Sequence, residues 1–226
     1  MEEPGLFDGI FAPIEYLLST VLSTLYSLTE LAGVPSYGLA IILLTILVKI
    51  LVYPLTKKQL QSMKAMQRIQ PQMKKLQEKY KDNPQVMQKK LLELYQKEGA
   101  NPMSGCLPML IQMPILMGMY YTLYNFNYGG AAPSFAWLPS LSEPDPTYAL
   151  PFLSAATTFL QQKMMSSSSS DVNPQMRIMM TIMPIFIGWI SLNFPAGLVL
   201  YWVTMNVVQI IQQWWTNRQE DDKEAA

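Results

Sequence analysis

Lys49 stands inside an otherwise apolar run, Tyr37 to Leu55 (YGLAIILLTILVKILVYPL), that is long enough to cross a bilayer. A lysine at the centre of a membrane is unfavourable by about 2.5–3.5 kcal/mol on insertion scales, and such residues usually face a bundle interior or a wet cavity. At helical spacing Thr45, Lys49, Tyr53 and Thr56 share one face and form a polar stripe. Other apolar segments carry polar groups at comparable depth. These are Gln112, then Thr157, Thr158, Gln161 and Gln162, then Trp202, Asn206, Gln209 and Gln213 on one helical face. Each alone fits an interhelical hydrogen bond, and Lys49 alone fits a side chain snorkelling to the interface. Their coincidence points to a shared hydrophilic cavity that binds non-covalently, with one cation among neutral hydrogen-bonding groups.

The missing residue types narrow the chemistry further. The chain has no histidine and one cysteine, Cys106, and no Asp or Glu falls inside an apolar span. A metal centre, a Cys/His nucleophile or an intramembrane carboxylate relay therefore has no residues to build it. No GxxxxGK[ST] loop is present to cradle nucleotide phosphates. Cys106 cannot form an internal disulfide and reads as a small buried apolar residue. The expectation is a protein that is not an enzyme and needs no cofactor.

The elements that must position these groups are legible from hydropathy. Half of the residues are hydrophobic (50%) and only 14% are charged, a membrane-protein composition. Five apolar segments reach spanning length, at 35–55, 105–125, 148–165, 176–193 and 196–216. Eleven of the sixteen basic residues lie from Lys57 to Lys97, and none precedes Lys49, lies between Asn125 and Gln162, or lies between Ile178 and Asn217. Because Lys and Arg mark cytoplasmic flanks, the fold class expected is an all-α integral membrane protein with five transmembrane helices, N-terminus out and C-terminus in. Segments 56–104 and 166–175 and the tail 217–226 are then cytoplasmic, and 126–147 is an outer loop. Lys49 lies eight residues before Lys57, about 12 Å along a helix, so it sits on the cytoplasmic side of the midplane.

Two flanking regions have patterns of their own. In the outer segment 1–34, Ile10, Ile14, Leu17, Leu18, Val21, Leu22, Leu25 and Leu28 fall on one helical face opposite Glu15, Ser19, Ser23, Ser27 and Glu30. An interfacial amphipathic helix is favoured over a sixth span, because Glu2, Glu3 and Asp8 have no basic companions to hold them in the cytoplasm. The segment lacks the basic start and cleavage site of a signal peptide. In 56–104, Leu60, Met63, Met66, Ile69, Met73, Leu76 and Tyr80 recur at helical spacing, Asp82-Asn83-Pro84 breaks the chain, and a second helix ends at Gly99. Pro71 is expected to separate this helical hairpin from an extension of the first span. The hairpin's basic charge suits orientation and anionic lipid, and Met63, Met66, Met73, Lys74, Lys75, Tyr80, Lys89 and Lys90 form a candidate cytoplasmic docking surface. Met164, Met165, Met176, Met179, Met180 and Met183 surround the second cytoplasmic turn, whose Ser166–Ser170 run reads as flexible. Methionine there serves packing or a soft surface for varied hydrophobic segments.

The strings VKILVYPLTKKQLQSMKAMQRIQPQMKKLQEKY, NPMSGCLPMLIQMPILMGMYY, LPFLSAATTFLQQKM and NFPAGLVLYWVTMNVVQIIQQ closely resemble the YidC/Oxa/Alb membrane protein insertases, from about Tyr37 to Trp215. The resemblance implies the short, five-span bacterial form in a plasma membrane, acting as insertase and chaperone. An inward-open hydrophilic groove would receive the polar tail of a nascent membrane protein, with Lys49 as its cation where bacterial members usually carry arginine. Lysine keeps the charge but loses arginine's bidentate fork. By position the resemblance adds Gln112, Gln161 or Gln162, and Trp202 to a substrate groove that also contains Thr45, Tyr53 and Asn206. The implied partners are nascent membrane proteins, membrane lipid, the Sec translocon and the signal recognition pathway. The tail NRQEDDKEAA is short and acidic, unlike the long basic tails that tether ribosomes, and no nucleic-acid site is expected. The competing class is a small-solute or anion transporter or channel with Lys49 as its anion site. It lacks detectable internal repeats and an acidic coupling residue.

Overall fold

The computed structural model describes residues 6–99, 107–126, 128, 133–166 and 174–224. Among them are eight helices: α1 (Leu6–Leu31), α2 (Tyr37–Leu51), α3 (Tyr53–Lys79), α4 (Pro84–Lys97), α5 (Leu107–Asn125), α6 (Ala149–Ser166), α7 (Pro174–Ser191) and α8 (Ala196–Glu224). The only β pairing among the described residues is an isolated bridge between Phe135 and Leu138. Cys106, Glu2, Glu3 and the serines after Ser166 lie outside the described residues, as do the side chains of Ile10, Met63, Met165, Met176, Met179 and Met180.

Local sequence sets the helix ends. Ser36 accepts the Leu39 N–H at 3.3 Å and starts α2. Pro54 ends it, because a proline has no N–H to give and its ring clashes with the carbonyl four residues earlier. The chain turns by 62° between α2 and α3, inside the segment expected to be one straight span. Further on, α3 continues through Pro71, where the sequence reading expects a separation. A proline inside a helix removes one hydrogen bond and bends the chain without having to end it. Asn83 accepts the Val86 N–H at 3.3 Å and caps α4, and Ile69 and Leu94 are buried where the two hairpin helices lie.

No single helix among the described residues is long and apolar enough to cross a membrane, but α2 and the first part of α3 meet the length and composition criteria as a bent pair. The helices pack in one chain of neighbours: α7 on α6, α6 on α8, α8 on α2, and α1 across α2 and α5. Leu22, Ile41, Leu44, Met119, Leu141 and Tyr201 fill the shared core. Helix α1 turns Ile14, Leu18 and Leu22 inward and leaves Leu17 and Leu28 more than half exposed. Its apolar stripe is therefore wider than its seam with α5. Its outward hydroxyls fold back onto their own helix, Thr20 to the Tyr16 carbonyl at 2.7 Å and Thr24 to the Thr20 carbonyl at 2.8 Å. Where α1 meets α2, Tyr26 stacks on Tyr37 with centroids 3.9 Å apart.

Residues 133–148 form a strap over the N-terminus of α8. Its carbonyls take up helix N–H groups that would otherwise be unpaired: Ala196 donates to Glu143 at 2.8 Å and Gly197 to Leu141 at 2.9 Å. Leu138 and Leu141 are buried beneath it. Asp145 fastens the far end, accepting from Leu150 N at 2.8 Å, Thr147 Oγ1 at 2.7 Å and Thr147 N at 2.9 Å, with Trp137 Nε1 at 3.5 Å. Burial alone pushes the Asp145 carboxyl up, but these donors outweigh it and hold the carboxyl below its ordinary value. A depressed carboxyl stabilises the fold above its unfolded value, about pH 4, and loses that stabilisation as pH falls through its folded value. Asp145→Ala should therefore cost about 1–2 kcal/mol at neutral pH. In thermal unfolding in detergent, its gap from wild type should close as the solution is acidified.

Candidate functional site

Lys49 lies on the last turn of α2, against α8, with only 7% of its surface exposed. Its ammonium donates to Gln209 Oε1 at 2.7 Å, and Gln212 Nε2 donates to the Lys49 carbonyl at 3.3 Å. Two carboxamides of one helix thus grip the same residue by side chain and backbone. No carboxylate among the described residues pairs with Lys49.

Beside Lys49 is a narrow cavity between α2, α5 and α8, lined by Thr45, Val48, Val52, Gln112, Ile115, Tyr201 and Met205 as well as Lys49, with room for about one water molecule. Thr45 bonds its own helix at the Ile41 carbonyl, 2.7 Å. Gln112 Nε2 donates across the cavity to Tyr201 Oη at 3.1 Å and contacts Met205 Sδ at 2.7 Å. The result is a small, mostly apolar pocket bordered by one cation and walled by Val48, Val52 and Ile115.

The other polar residues form a second, separate seam between α6 and α8. Asn206, fully buried, donates to Thr157 Oγ1 at 3.1 Å and Thr158 Oγ1 at 3.0 Å, and Trp202 Nε1 donates to Thr158 Oγ1 at 3.1 Å. The structure thus brings Thr45 and Gln112 to Lys49, but places Trp202 and Asn206 with α6. Tyr53 is half-buried beyond the bend and does not line the cavity, because the turn at Val52 interrupts the stripe expected on a continuous helix. Gln161 and Gln162 are half-buried on α6.

Tyr201, Met205 and Gln212 were not singled out by sequence reasoning. At about 100° per residue they sit on the α2 side of α8, while Trp202 and Asn206 sit on the α6 side and Gln209 falls between, its long side chain reaching Lys49. The stripe was present in the spacing 201, 205, 209, 212. A tyrosine and a methionine in an apolar helix simply do not announce a pocket.

The candidate docking residues spread along the hairpin. Lys75 and Lys89 are exposed, while Met66, Met73, Lys74, Tyr80 and Lys90 are half-buried; Met63 has no described side chain. Lys79 lies over the Tyr80 ring at 5.4 Å, and Lys90 pairs with Glu93 at 2.6 Å on the surface.

Around this interior the outer surface is apolar: Ile50, Phe152, Ile185, Trp189 and Ile211 are each more than half exposed. Polar seams inside and large hydrophobic side chains outside define an all-helical protein of the membrane class, with a cation held between two of its helices. Residues 27–223 match the 60Kd inner membrane protein family, and the chain belongs to that family, the YidC/Oxa group. It is 46% identical over 216 residues to the membrane protein insertase MisCA of Bacillus subtilis (strain 168), covering 94% of this chain and 82% of that protein. It is 42% identical over 212 residues to the membrane protein insertase YidC of Francisella philomiragia subsp. philomiragia, covering 94% of this chain but only 37% of that longer protein. Its fold is similar to a crystal structure of active YidC insertase with the first transmembrane domain resolved. That match has a TM-score of 0.63 and 27% identity over 91% of this chain and 46% of that one.

Proposed function

We propose that this chain is a membrane protein insertase and chaperone of the bacterial plasma membrane, in which Lys49 attracts the polar segment of a nascent client. The observation that carries the reading is the buried ammonium of Lys49, whose one side-chain partner among the described residues is a neutral carboxamide, with a pocket alongside. A cation kept out of water without a counter-ion is attractive to a carboxylate that arrives with a client. Kinship with proteins named as membrane protein insertases supports the same conclusion.

The mechanism needs no covalent step. A client's polar tail would approach from the cytoplasm, exchange Gln209 for its own carboxylate at Lys49, and so cross less hydrocarbon than an unaided segment. Its apolar helix would move along the exposed surfaces of α2, α6 and α8 into lipid, and burial of that helix would drive release. In this reading the five spans are the α2–α3 bent pair, α5, α6, α7 and α8, with the N-terminus out, α1 at the outer interface and the α3–α4 hairpin receiving clients, the Sec translocon or the signal recognition pathway. A solute transporter is the poorer fit, because the sequence carries no detectable internal repeat and no acidic coupling residue within an apolar span.

The test is insertion of a small client, with one or two spans and an acidic outer tail, into liposomes containing this protein alone. Protease protection of the tail is expected. Absence of protection with correctly folded protein refutes autonomous insertion.

A further inference from the structure

The partner that holds Lys49 is chemically unusual for a buried cation. Lys49 is 7% exposed, yet its one described side-chain partner is the neutral Gln209, at 2.7 Å. An Asp or Glu there would give a buried ion pair, whose charges satisfy each other and resist exchange. Glutamine supplies the same acceptor oxygen without the charge. It satisfies part of the ammonium's hydrogen bonding and leaves its field uncompensated. Gln212, one turn on, fixes the Lys49 backbone rather than its ammonium, at 3.3 Å. The division of labour is therefore clear: Gln212 locates the residue, and Gln209 is the group that an incoming acceptor must replace.

We infer that Gln209 is a positioning residue that sets the carboxylate selectivity of the Lys49 site: a neutral placeholder that holds the ammonium at the α2–α8 seam and yields it to a client's carboxylate but not to a client's neutral amide or hydroxyl. A carboxylate replaces the charge–dipole contact with a charge–charge contact and gains by exchange. A neutral group of the client only reproduces what Gln209 already provides, so exchange gains nothing. This inference rests on the insertase reading above and adds to it which residue sets the threshold.

The two substitutions that separate this role from simple packing act in opposite directions. Gln209→Glu keeps the shape and adds a permanent counter-ion, so the site is already occupied. Gln209→Met keeps the volume and removes the acceptor, so the ammonium is left needing one. The experiment uses the full chain in liposomes and two clients that differ only in the outer tail, one carrying Asp and Glu, the other the matching Asn and Gln. The readout is the ratio of acidic-tail to neutral-tail insertion. Gln209→Glu should lower that ratio by about tenfold, and Gln209→Met should raise it above wild type. If both substitutions lower insertion of the two clients equally, Gln209 is only structural and the inference fails. An unchanged ratio in both also overturns it. If Gln209→Glu does not fold, Gln209→Met decides by itself, since a ratio at or below wild type refutes the placeholder role. Failure of the wild-type protein to insert either client would instead refute the insertase reading.

Discussion

Lys49→Glu should abolish rescue of an insertase-depleted strain, and Lys49→Arg should retain it. Lys49 is the cation at the α2–α8 seam, buried and contacted by Gln209. On the proposed role, reversing its charge would replace attraction for a client carboxylate with repulsion in a low-dielectric site, a change of several kcal/mol and so a loss on the order of a hundredfold or more. The fold should tolerate the change, because Gln209 can turn its amide and donate to the new carboxylate. Thermal unfolding of the purified variant in detergent checks this. Arginine keeps the charge and can still donate to Gln209, but its larger planar head must enter a pocket with room for about one water molecule. A modest reduction in rate is expected, and client choice should shift toward tails with carboxylates that accept two hydrogen bonds. Equal rescue by the Glu and Arg variants would show that the charge is not used.

Gly38→Ala should be the most damaging small substitution outside the pocket. A Cβ on Gly38 would clash with Cβ, Cγ and Cδ2 of Phe135, and Phe135 cannot simply withdraw, because its backbone exchanges hydrogen bonds with Leu138 at 3.0 and 2.8 Å. Either α2 or the strap over α8 must shift. Overpacking of this kind costs about 1–3 kcal/mol, seen as a lower Tm in detergent. Phe135→Ala in the same chain should recover much of the loss, since it empties the space the new methyl needs. The two substitutions should therefore be strongly non-additive. Simple additivity would mean that Gly38 and Phe135 do not share that space.

Much of this was written in the residues themselves. Ser36, Pro54, Asn83 and Pro84 mark helix boundaries by chemistry that acts over one turn. The apolar stripe of α1 was legible as an amphipathic face, and of its residues Ile14, Leu18 and Leu22 turn into the core while Leu17 and Leu28 stay exposed. Lys49, Thr45 and Gln112 were recognisable as odd residues in apolar surroundings, and they meet at one pocket. The stretch from Tyr37 to Leu55 reads as one apolar span, which misplaced Tyr53 beside Lys49; the structure bends it by 62° just ahead of Pro54. Pro71 gave the opposite error: a proline expected to separate two helices is carried within one.

The sequence by itself determined the family, through its motif strings, and the mostly helical class and the presence of an unusual cation among neutral polar groups, because these last depend on composition and on spacing within one helix. Only the tertiary structure decided that α8 divides its polar residues between two seams, Gln209 to Lys49 and Trp202 and Asn206 to α6. It alone brought Tyr201 and Met205 to the pocket and set the strap across the end of α8. The reason is geometric. A single helical face about 100° wide can serve two neighbours at once, and which side chain meets which neighbour is fixed by where those helices pack, something no spacing within α8 records.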